Sequence, residues 1–387
     1  MVRNSREGGN PLCSWPIRKL SAMAIHPSLH GIFTESPSRE LRGSLFLNYG
    51  GMVTPAHESM MTTEPVPQPG AGAWGVLLLA HGAPDRLEDI PEFLRNVREG
   101  RPLPEPAVKE IVRRYSLIGG GSPLLRITTS QAEALAEVVG HPVYVGMRNW
   151  TPFIKDAVRR LSDDGVKRVV ALCLAPQNSR TSIGLYRKYL MDAVAQVCPG
   201  LPVDFVESYH EHPGLIEAFS ERLKAALVAT ERETGTEVPV IFTAHSVPER
   251  TIADGDPYEQ QVRETAALVA AAVGLTDYRL AFQSQGMTSE KWIGPTVESL
   301  IDELAQMGSK FVLLAPVGFV SDHVEILYDI DVLFREYGKA RGVSVRRTES
   351  LNASPKFVAA LASLVSARIK QVSGARGQAS GPASADD

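Results

Sequence analysis

Short apolar runs alternate with amphipathic stretches along most of this chain. Seven of the runs are predominantly apolar, which is typical of strands that are buried on both faces of a parallel sheet. These predicted strands are at residues 75–80, 142–146, 168–174, 203–208, 238–243, 278–283 and 311–316. Between them, helical spacing of apolar residues predicts helices at residues 88–97, 130–139, 153–163, 214–231, 257–272, 295–307 and 324–337. This alternation predicts an α/β fold with doubly wound parallel sheets.

The chain also contains an internal repeat. The segments GVLLLAHGAPDR (75–86) and PVIFTAHSVPER (239–250) share an apolar run, an Ala-His pair and a Pro-acid-Arg ending. Two further pairs follow in the same order: WTPFIKDAV (150–158) with WIGPTVESL (292–300), and GVKRVVAL (165–172) with GSKFVLLA (308–315). These echoes predict two similar Rossmann-like halves. Because open α/β sheets bind ligands at the carboxyl ends of their strands, we expect a cleft that His81 and His245 enter from opposite halves.

The composition along the chain predicts where the ordered part begins and ends. Residues 1–71 are rich in Gly, Pro, Ser and Met without periodicity, which indicates a disordered extension or a start site placed too far upstream. We expect the first half at 73–177, the second half at 178–330, and a helical segment at 331–371 that packs back on the core. Residues 372–387 are of low complexity and are predicted to be a disordered tail.

Overall charge and cysteine content exclude several kinds of protein. The formal net charge is −4, whereas nucleic-acid-binding domains are usually basic. The three cysteines have no CxxC spacing, and an odd number argues against a disulfide framework, so a reducing cytoplasm is expected. An iron–sulfur cluster needs about four thiolates, so none is expected. The longest apolar run is too short for the roughly 18 residues of a transmembrane segment.

His245 is the first candidate for chemistry. It follows a predicted buried strand and precedes Ser246-Val247-Pro248, which ends the strand and turns the chain. Histidine takes up a proton or binds a divalent metal near neutral pH. A strand-end histidine often only binds a backbone carbonyl, and the sequence leaves that alternative open.

A second group of polar residues follows the strand predicted at 311–316. Asp322, His323, Glu325 and Asp329 lie around the start of the next predicted helix. Glu325 and Asp329 are four residues apart and therefore share a helix face. The helix dipole alone favours acids in a first turn, which is the alternative for Asp322. Carboxylates and histidines at one sheet edge suit a borderline cation such as Fe²⁺, and their spacing differs from the HExxH of zinc proteases.

An arginine cluster precedes a triple glycine. It comprises Arg98, Arg101, Arg113, Arg114 and Tyr115 and leads into IGGGSPL at 118–124. Exposed arginines on a helix are often only solvated, which is the alternative for Arg101 and Arg113. Glycines beside Ser122 allow the backbone to approach a flat or anionic ligand closely, although no P-loop Gly-Lys-Ser/Thr follows. Arginine beside an aromatic ring suits the carboxylates of an apolar ring system.

Taken together, these segments resemble the ferrochelatase family. In the second half the resemblance is carried by AHSVPERTIADGDPYEQQV, FQSQGMTSEKWIGPTVESL and PVGFVSDHVEILYD, and in the first half by RYSLIGGGSPLLRIT, YVGMRNWTPFIKDAV and LAPQNSRTSIGLYRK. It spans roughly residues 75–368 and is strongest to the soluble Gram-positive type, which makes iron coproporphyrin III. The resemblance implies a two-half chelatase fold and a lyase that inserts Fe²⁺ into a porphyrin for haem biosynthesis.

The resemblance also implies roles for individual residues. His245 and Glu325 match the catalytic pair that handles the iron, with His323 and Asp329 as secondary candidates. The positions that match porphyrin contacts are His81, Arg98, Arg114, Tyr115, Ser122 and Tyr186. His81 stands where the coproporphyrin type usually has an iron-ligating tyrosine, and Asn149 stands where histidine or tyrosine is usual. Leu333 interrupts the acidic row that continues after Asp329 in some relatives.

The implied partners are the porphyrin and ferrous iron, the latter as substrate, with no organic cofactor, no nucleic acid, and room for a transient partner that receives the haem. Three alternatives remain at this point. In the first, the ring is protoporphyrin IX instead of coproporphyrin III. In the second, the chain is a cobalt or nickel chelatase for a sirohydrochlorin-type ring. Alternatively, it is a two-lobed haem carrier without chemistry, although a carrier leaves Glu325 and Asp329 without a role.

Overall fold

Two four-stranded parallel sheets form the framework of the protein. The computed structural model describes residues 74–286 and 290–379, with side chains to residue 372, and all of these residues belong to one compact unit. The strands are β1 (Trp74–Ala80), β2 (Val143–Met147), β3 (Arg168–Cys173), β4 (Val203–Val206), β5 (Val240–His245), β6 (Arg279–Gln283), β7 (Phe311–Pro316) and β8 (Ser344–Arg347).

Helices connect the strands and cover the sheets. They are α1 (Ile90–Val97), α2 (Glu105–Leu117), α3 (Leu124–Val139), α4 (Ile154–Asp163), α5 (Ile183–Val197), α6 (Pro213–Thr234), α7 (Glu249–Ala253), α8 (Tyr258–Val273), α9 (Val297–Gln306), α10 (Val324–Leu327), α11 (Arg335–Lys339) and α12 (Pro355–Ala379). A π-helix at Asp329–Phe334 separates α10 from α11, and a short 3₁₀ helix at Leu87–Asp89 precedes α1. Within the described ranges, no helix is long and apolar enough to cross a membrane.

Both sheets have the same strand order. The first is β2-β1-β3-β4 and the second is β6-β5-β7-β8, with parallel pairing throughout. In the first sheet the chain proceeds from β1 outward to β2, and then returns to β3 on the other side of β1. The second sheet does the same at β5 and β7, so the strand order reverses between β1 and β3 and between β5 and β7. Ligands of open α/β sheets bind at the carboxyl ends of the strands at such a switch point. The predicted pair of doubly wound halves is therefore confirmed, and each half has one expected binding edge.

The repeat extends to individual hydrogen bonds. The Met147 amide donates to the Pro152 carbonyl at 2.7 Å, and the Phe282 amide donates to the Pro295 carbonyl at 2.8 Å. Both bonds join the end of the second strand in a half to the Pro-containing turn that begins the next helix. The sequence echo at 150–158 and 292–300 thus corresponds to one structural unit that is used twice.

Each sheet is buried on both faces, because alternate side chains of a strand point to opposite sides. Leu77 and Leu79 of β1 pack against α4 and α5, whereas Val76 and Leu78 face α3 and α6. The apolar core on the side of Val76 and Leu78 also contains residues of β5, β7 and α12. The two halves therefore share one continuous core, which fixes the binding edge of one sheet relative to that of the other.

The chain boundaries between the halves differ from the predicted ones. Strand β4 lies in the range 178–330, which we expected to form the second half, but it pairs with β3 of the first sheet. Strand β8 lies in the range 331–371, which we expected to be helical, and it completes the second sheet beside β7. Strand pairing is a long-range contact, so neither assignment is encoded in local periodicity.

Two helical predictions also need correction. The helix predicted at 324–337 is divided into α10, the π-helix and α11. Helix α12 continues to Ala379, well into the tail predicted from residue 372. The expected disorder of residues 1–71 and of residues 380–387 lies outside the described residues.

Candidate active site

The two strand-end histidines occupy equivalent positions at the binding edges. His245 is the last residue of β5, and His81 directly follows β1. In each ring Nδ1 faces the carbonyl oxygen of the next residue, at 2.9 Å from Gly82 O for His81 and 2.5 Å from Ser246 O for His245. The alternative in which a strand-end histidine only binds a backbone carbonyl therefore holds for Nδ1 of both rings. It leaves Nε2 of each ring for another partner.

Glu325 lies between two histidines of the second half. Its Oε1 is 3.5 Å from His245 Nε2, and its Oε2 is 3.6 Å from His323 Nε2. The amide of Gln283, at the end of β6, donates to the Glu325 backbone carbonyl at 2.8 Å. Tyr258 of α8 donates its hydroxyl to the His245 carbonyl at 3.0 Å. The pair that the sequence indicated is thus assembled at the β5–β7 switch point and held there through its backbone.

Gly318 allows the loop after β7 to lie against the end of β5. A methyl group at Gly318 would be 2.6 Å from the Ala244 Cβ, much closer than non-bonded carbon atoms approach. The Gly318 amide also donates to the Thr243 carbonyl at 3.2 Å. Because Ala244 precedes His245, a side chain at Gly318 would push the loop that leads to Glu325 away from the histidine.

The charges of the pair support each other. Burial of the ring opposes protonation, but the Glu325 carboxylate outweighs it and raises the pKa of His245 to about 9. The same balance of burial and the Glu325 charge raises the pKa of His323. Burial would raise the pKa of Glu325, but the two imidazoles hold it well below its usual range. At neutral pH the free protein therefore has an imidazolium at His245 and a carboxylate at Glu325.

His81 is in the opposite state. The Asn149 Nδ2 is 3.2 Å from the His81 carbonyl, which only accepts, and 3.0 Å from His81 Nε2. This nitrogen is therefore a donor, so Nε2 accepts and the ring is neutral, with its proton on Nδ1. The surrounding protein atoms, and after them the charge of Arg148, lower the pKa of His81 to about 4. To ligate iron, Nε2 would have to exchange its bond with Asn149.

These opposite states give a prediction for the free protein. In a ¹⁵N-histidine NMR titration we expect His81 to be neutral at pH 7, with the proton on Nδ1, and His245 to carry protons on both nitrogens. Glu325→Gln should lower the pKa of His245, because burial then acts without the opposing carboxylate. His81→Gln and His245→Gln assign the resonances. A His245 pKa that is the same in wild type and Glu325→Gln would contradict this account.

Asp329 is the second carboxylate of this edge. Burial is the main cause, and the Glu325 charge the second, of a pKa raised to about 6. The Ser284 hydroxyl donates to Asp329 Oδ2. Asp322 has a different place, since its carboxylate accepts from Ser350 at 2.7 Å and from Asn352 at 2.9 Å. Asp322 therefore anchors the loop before Glu325 instead of facing the pair.

The predicted arginines have protein partners in this structure. Arg98 donates through Nη1 to the Pro102 carbonyl at 2.6 Å. Arg114 donates through Nε to Glu110 at 3.0 Å, and its guanidinium lies 5.1 Å from the centre of the Tyr328 ring. Arg114 thus brings helix α2 of the first half to the residue just before Asp329. A substrate carboxylate that binds Arg114 would compete with Glu110.

The remaining predicted contacts are buried in the first half. Tyr115 is 2% exposed, Ser122 and Tyr186 are each 5% exposed, and the Ser122 hydroxyl accepts from the Leu124 amide at 3.3 Å. Burial raises the pKa of both tyrosine hydroxyls, and the Glu325 charge adds to the shift. Contact of these three residues with a porphyrin stays a prediction.

The triple glycine has a structural reason that we did not predict. A methyl group at Gly121 would be 2.0 Å from the Asp85 carbonyl oxygen, so the glycine permits close packing of two loops of the protein itself. Gly119 and Gly120 have φ angles of 103° and 94°, which favour glycine whatever their surroundings.

Three further residues belong to the site and were not singled out from the sequence. They are Arg148, Tyr258 and Gln283. The Arg148 guanidinium lies 5.0 Å from the centre of the Tyr186 ring, and its buried Nη1 has no hydrogen-bond partner among the described residues. Gln283 ends a strand and Arg148 follows one, both at a carboxyl edge, which is the signal that would have identified them.

A neutral histidine in one half and a histidine–carboxylate pair in the other, at matching edges of two like sheets, form the arrangement expected of a protein of the chelatase class. Sequence comparison is consistent with this. The family model described as ferrochelatase matches residues 73–369. The chain belongs to the ferrochelatase family.

The matches to individual relatives extend over nearly the full length of each relative. A ferrochelatase of Acidobacterium capsulatum is 48% identical over 304 residues, which are 75% of this chain and 92% of the relative. A coproporphyrin III ferrochelatase of a Geobacillus species is 38% identical, over 76% of this chain and 98% of the relative. Among solved structures, SirB from Bacillus subtilis with Fe³⁺ matches with a TM-score of 0.51 and 11% identity, over 79% of this chain and 98% of SirB. That likeness bears on the fold alone.

Proposed function

We propose that this chain inserts ferrous iron into a porphyrin and that coproporphyrin III is its preferred ring. The observation that carries the proposal is the pair of His245 Nε2 and Glu325 Oε1, 3.5 Å apart at the switch point of the second sheet. An imidazole and a carboxylate suit Fe²⁺ as ligands and also accept protons. Membership of the ferrochelatase family supports the same reaction.

The reaction releases protons that the pair must take up. When Fe²⁺ enters a free-base porphyrin, it replaces two pyrrole protons, so the neutral ring core and Fe²⁺ become a neutral metalloporphyrin core and two released protons. His245 Nε2 accepts one proton, and Glu325 accepts the other, after releasing Fe²⁺ to the ring if it has held the metal. The metal itself promotes the loss of the two pyrrole protons, because it binds the deprotonated pyrrole nitrogens more strongly.

The resting state of the pair adds a step. Because Glu325 raises the pKa of His245 to about 9, Nε2 already carries a proton at neutral pH. That proton must leave before Nε2 accepts a pyrrole proton or binds iron. Fe²⁺ that approaches Glu325 would cancel the carboxylate charge and so promote the loss. Metal arrival and proton departure are therefore coupled in this proposal.

Cations around the site support a ring with several carboxylates. Arg98 and Arg114 are the sequence candidates, and Arg148 adds a guanidinium with a buried Nη1 that lacks a partner among the described residues. Guanidinium groups bind carboxylates through paired hydrogen bonds. The relative from Geobacillus, whose name specifies coproporphyrin III, is 38% identical to this chain.

A direct comparison of porphyrins tests the proposal. Purified protein is given Fe²⁺ without oxygen, and metalloporphyrin formation is followed by absorbance with coproporphyrin III or protoporphyrin IX. We expect turnover with both and a higher kcat/KM with coproporphyrin III. No metalloporphyrin from either ring would refute iron insertion, whereas an equal or higher kcat/KM with protoporphyrin IX would refute only the preference.

Arg114→Ala should affect the two porphyrins differently. We expect it to raise the KM for coproporphyrin III by roughly tenfold, as for the loss of one exposed charge-assisted contact of about 1.5 kcal/mol, and to raise that for protoporphyrin IX less. Arg159→Ala is the matched control, because Arg159 is an exposed helical arginine that pairs only with Asp156 at 2.9 Å among the contacts described. An equal KM change for both porphyrins would show that Arg114 does not select the ring.

The state of the cysteines supports a further proposal, that the protein works in the cytoplasm. Cys173 and Cys198 are both free thiols. Burial raises the pKa of the Cys173 thiol, which lies inside the first-half core and so stays protonated. Fractionation of cells that make the protein tests the location, and recovery outside the cytoplasm would contradict it.

A further inference from the structure

A second cluster of metal-ligating side chains lies outside the His245–Glu325 site. It comprises His210 and Glu211, in the loop between β4 and α6, and Glu264 of α8. His210 Nε2 is 2.8 Å from Glu264 Oε2 and 3.8 Å from Glu211 Oε2. One ligand atom of each of the three side chains lies within 4.8 Å of the others.

The orientation of the His210 ring is set by Ser208. The Ser208 hydroxyl lies 2.8 Å from His210 Nδ1, 3.0 Å from the Pro176 carbonyl and 2.9 Å from Gln261 Oε1. The hydroxyl has one proton and faces two atoms that only accept, so it donates to one of them. His210 Nδ1 must then donate to Ser208. When the ring is neutral, its lone pair is therefore on Nε2, which faces the two carboxylates.

Glu264 is oriented in the same way. The Gln260 side-chain amide donates to Glu264 Oε1 at 2.8 Å, which leaves Oε2 to face His210. Each of these two groups is thus fixed through the atom that points away from the cluster. Histidine and carboxylate ligands of protein-bound metals are commonly held by such outer hydrogen bonds.

The distances suit a small divalent ion. Two ligands at about 2.0–2.2 Å from one ion lie about 3 Å apart when they occupy neighbouring positions. The 2.8 Å between His210 Nε2 and Glu264 Oε2 is close to this value, and Glu211 Oε2 is 3.8 Å from the same Nε2. The Glu211 side chain is 62% exposed, so an ion can enter from solvent. One imidazole and two carboxylates form a set that suits borderline cations.

The cluster joins the two halves of the protein. His210 follows β4, the edge strand of the first sheet, whereas Glu264 belongs to α8, between β5 and β6 of the second. Next to it, the Thr265 hydroxyl lies 3.1 Å from the His210 carbonyl. A metal bound here would add a bond across this junction. None of its three ligands is a residue of the His245–Glu325 site.

We propose that His210, Glu211 and Glu264 bind a divalent cation such as Zn²⁺, Co²⁺ or Fe²⁺, which ties the two halves together. The competing explanation is a simple imidazolium–carboxylate ion pair that needs no metal. The two explanations differ in whether a saturable metal site disappears when Glu264 loses its charge.

Binding of CoCl₂ to the full chain separates them. The background variant carries His245→Ala and Glu325→Gln, so that the substrate-iron site does not compete, and Co²⁺ binding is followed by calorimetry and visible absorption. We expect one Co²⁺ per chain, and at least tenfold weaker binding when Glu264→Gln is added. The control is Glu259→Gln, which removes a carboxylate of the same helix that pairs with Arg263 at 2.6 Å. No saturable site in the background, or equal weakening by both substitutions, would overturn the proposal.

Thermal unfolding with ZnSO₄ provides the second measurement. We expect Zn²⁺ to raise the Tm of the background and of its Glu259→Gln form, and to leave that of its Glu264→Gln form unchanged. A Glu264→Gln protein with a lower Tm in EDTA but the same Zn²⁺-dependent rise would identify an ion pair only. Both experiments measure binding instead of turnover, so their outcome is independent of the porphyrin reaction.

Discussion

Replacement of His245 by alanine is expected to lower kcat for iron insertion by about 10²–10⁴-fold, the usual contribution of a positioned acid–base group. The reason is that His245 Nε2 is the ring atom that faces Glu325, since Nδ1 is occupied by the Ser246 carbonyl. The ring is 36% exposed and supports no large part of the core, so the fold should persist. Anaerobic assays with Fe²⁺ and coproporphyrin III measure the loss.

Porphyrin binding by the same variant distinguishes an enzyme from a carrier. We expect the dissociation constant, measured by fluorescence quenching, to change far less than kcat. His141→Ala is the matched control, because His141 precedes β2 and therefore lies at the amino edge of the first sheet, opposite the binding edge. If His245→Ala retained wild-type turnover, the proposed role of the pair would be wrong.

Phe242→Ala is expected to lower the free energy of unfolding by about 3–5 kcal/mol, the usual cost of removing a buried phenylalanine. Phe242 lies on β5 and is fully buried in the core that both sheets share. Its ring also meets Tyr278 edge to face, with 5.2 Å between the ring centres.

Denaturant unfolding followed by circular dichroism measures this loss. Phe153→Ala provides the matched control, since the Phe153 side chain is 37% exposed and leaves less apolar area to lose. We expect a clearly smaller change in the control. Equal losses in both variants would mean that the shared core does not stabilise the protein as described.

Sequence reasoning succeeded where information is local. An apolar run predicts a strand on its own, and the repeat places His81 and His245 at equivalent strand ends without knowledge of any contact. The same reasoning missed β8, whose sequence Ser-Val-Arg-Arg is not an apolar run. Strand β8 is an edge strand, and Arg346 and Arg347 form ion pairs with Glu233 and Asp331. Charged side chains are common on edge strands, so an apolar pattern cannot identify them.

The assignment of β4 failed for a different reason. The strand itself was predicted, but its partner was not, because hydrogen bonding to β3 is a choice between two distant sheets. Helix α5 was also missed in the sequence, although Tyr186 on it was singled out through the family resemblance. Its polar residues Lys188 and Asp192 pair on the exposed face at 2.7 Å, and its apolar residues face the first sheet.

By itself, the sequence determined the seven buried or partly buried strands that were predicted, the twofold repeat, and the chemical types of the residues at the binding edges. Only the tertiary structure decided which groups meet and where the protons are. His81 and His245 have the same local sequence context, yet the pKa is lowered to about 4 in one and raised to about 9 in the other. Burial opposes protonation of both rings, and the difference comes from Arg148, whose charge lowers the pKa of His81 further, and Glu325, whose carboxylate raises the pKa of His245. These neighbours arrive from other strands and loops, and electrostatic interactions depend on distance in space instead of position in the chain.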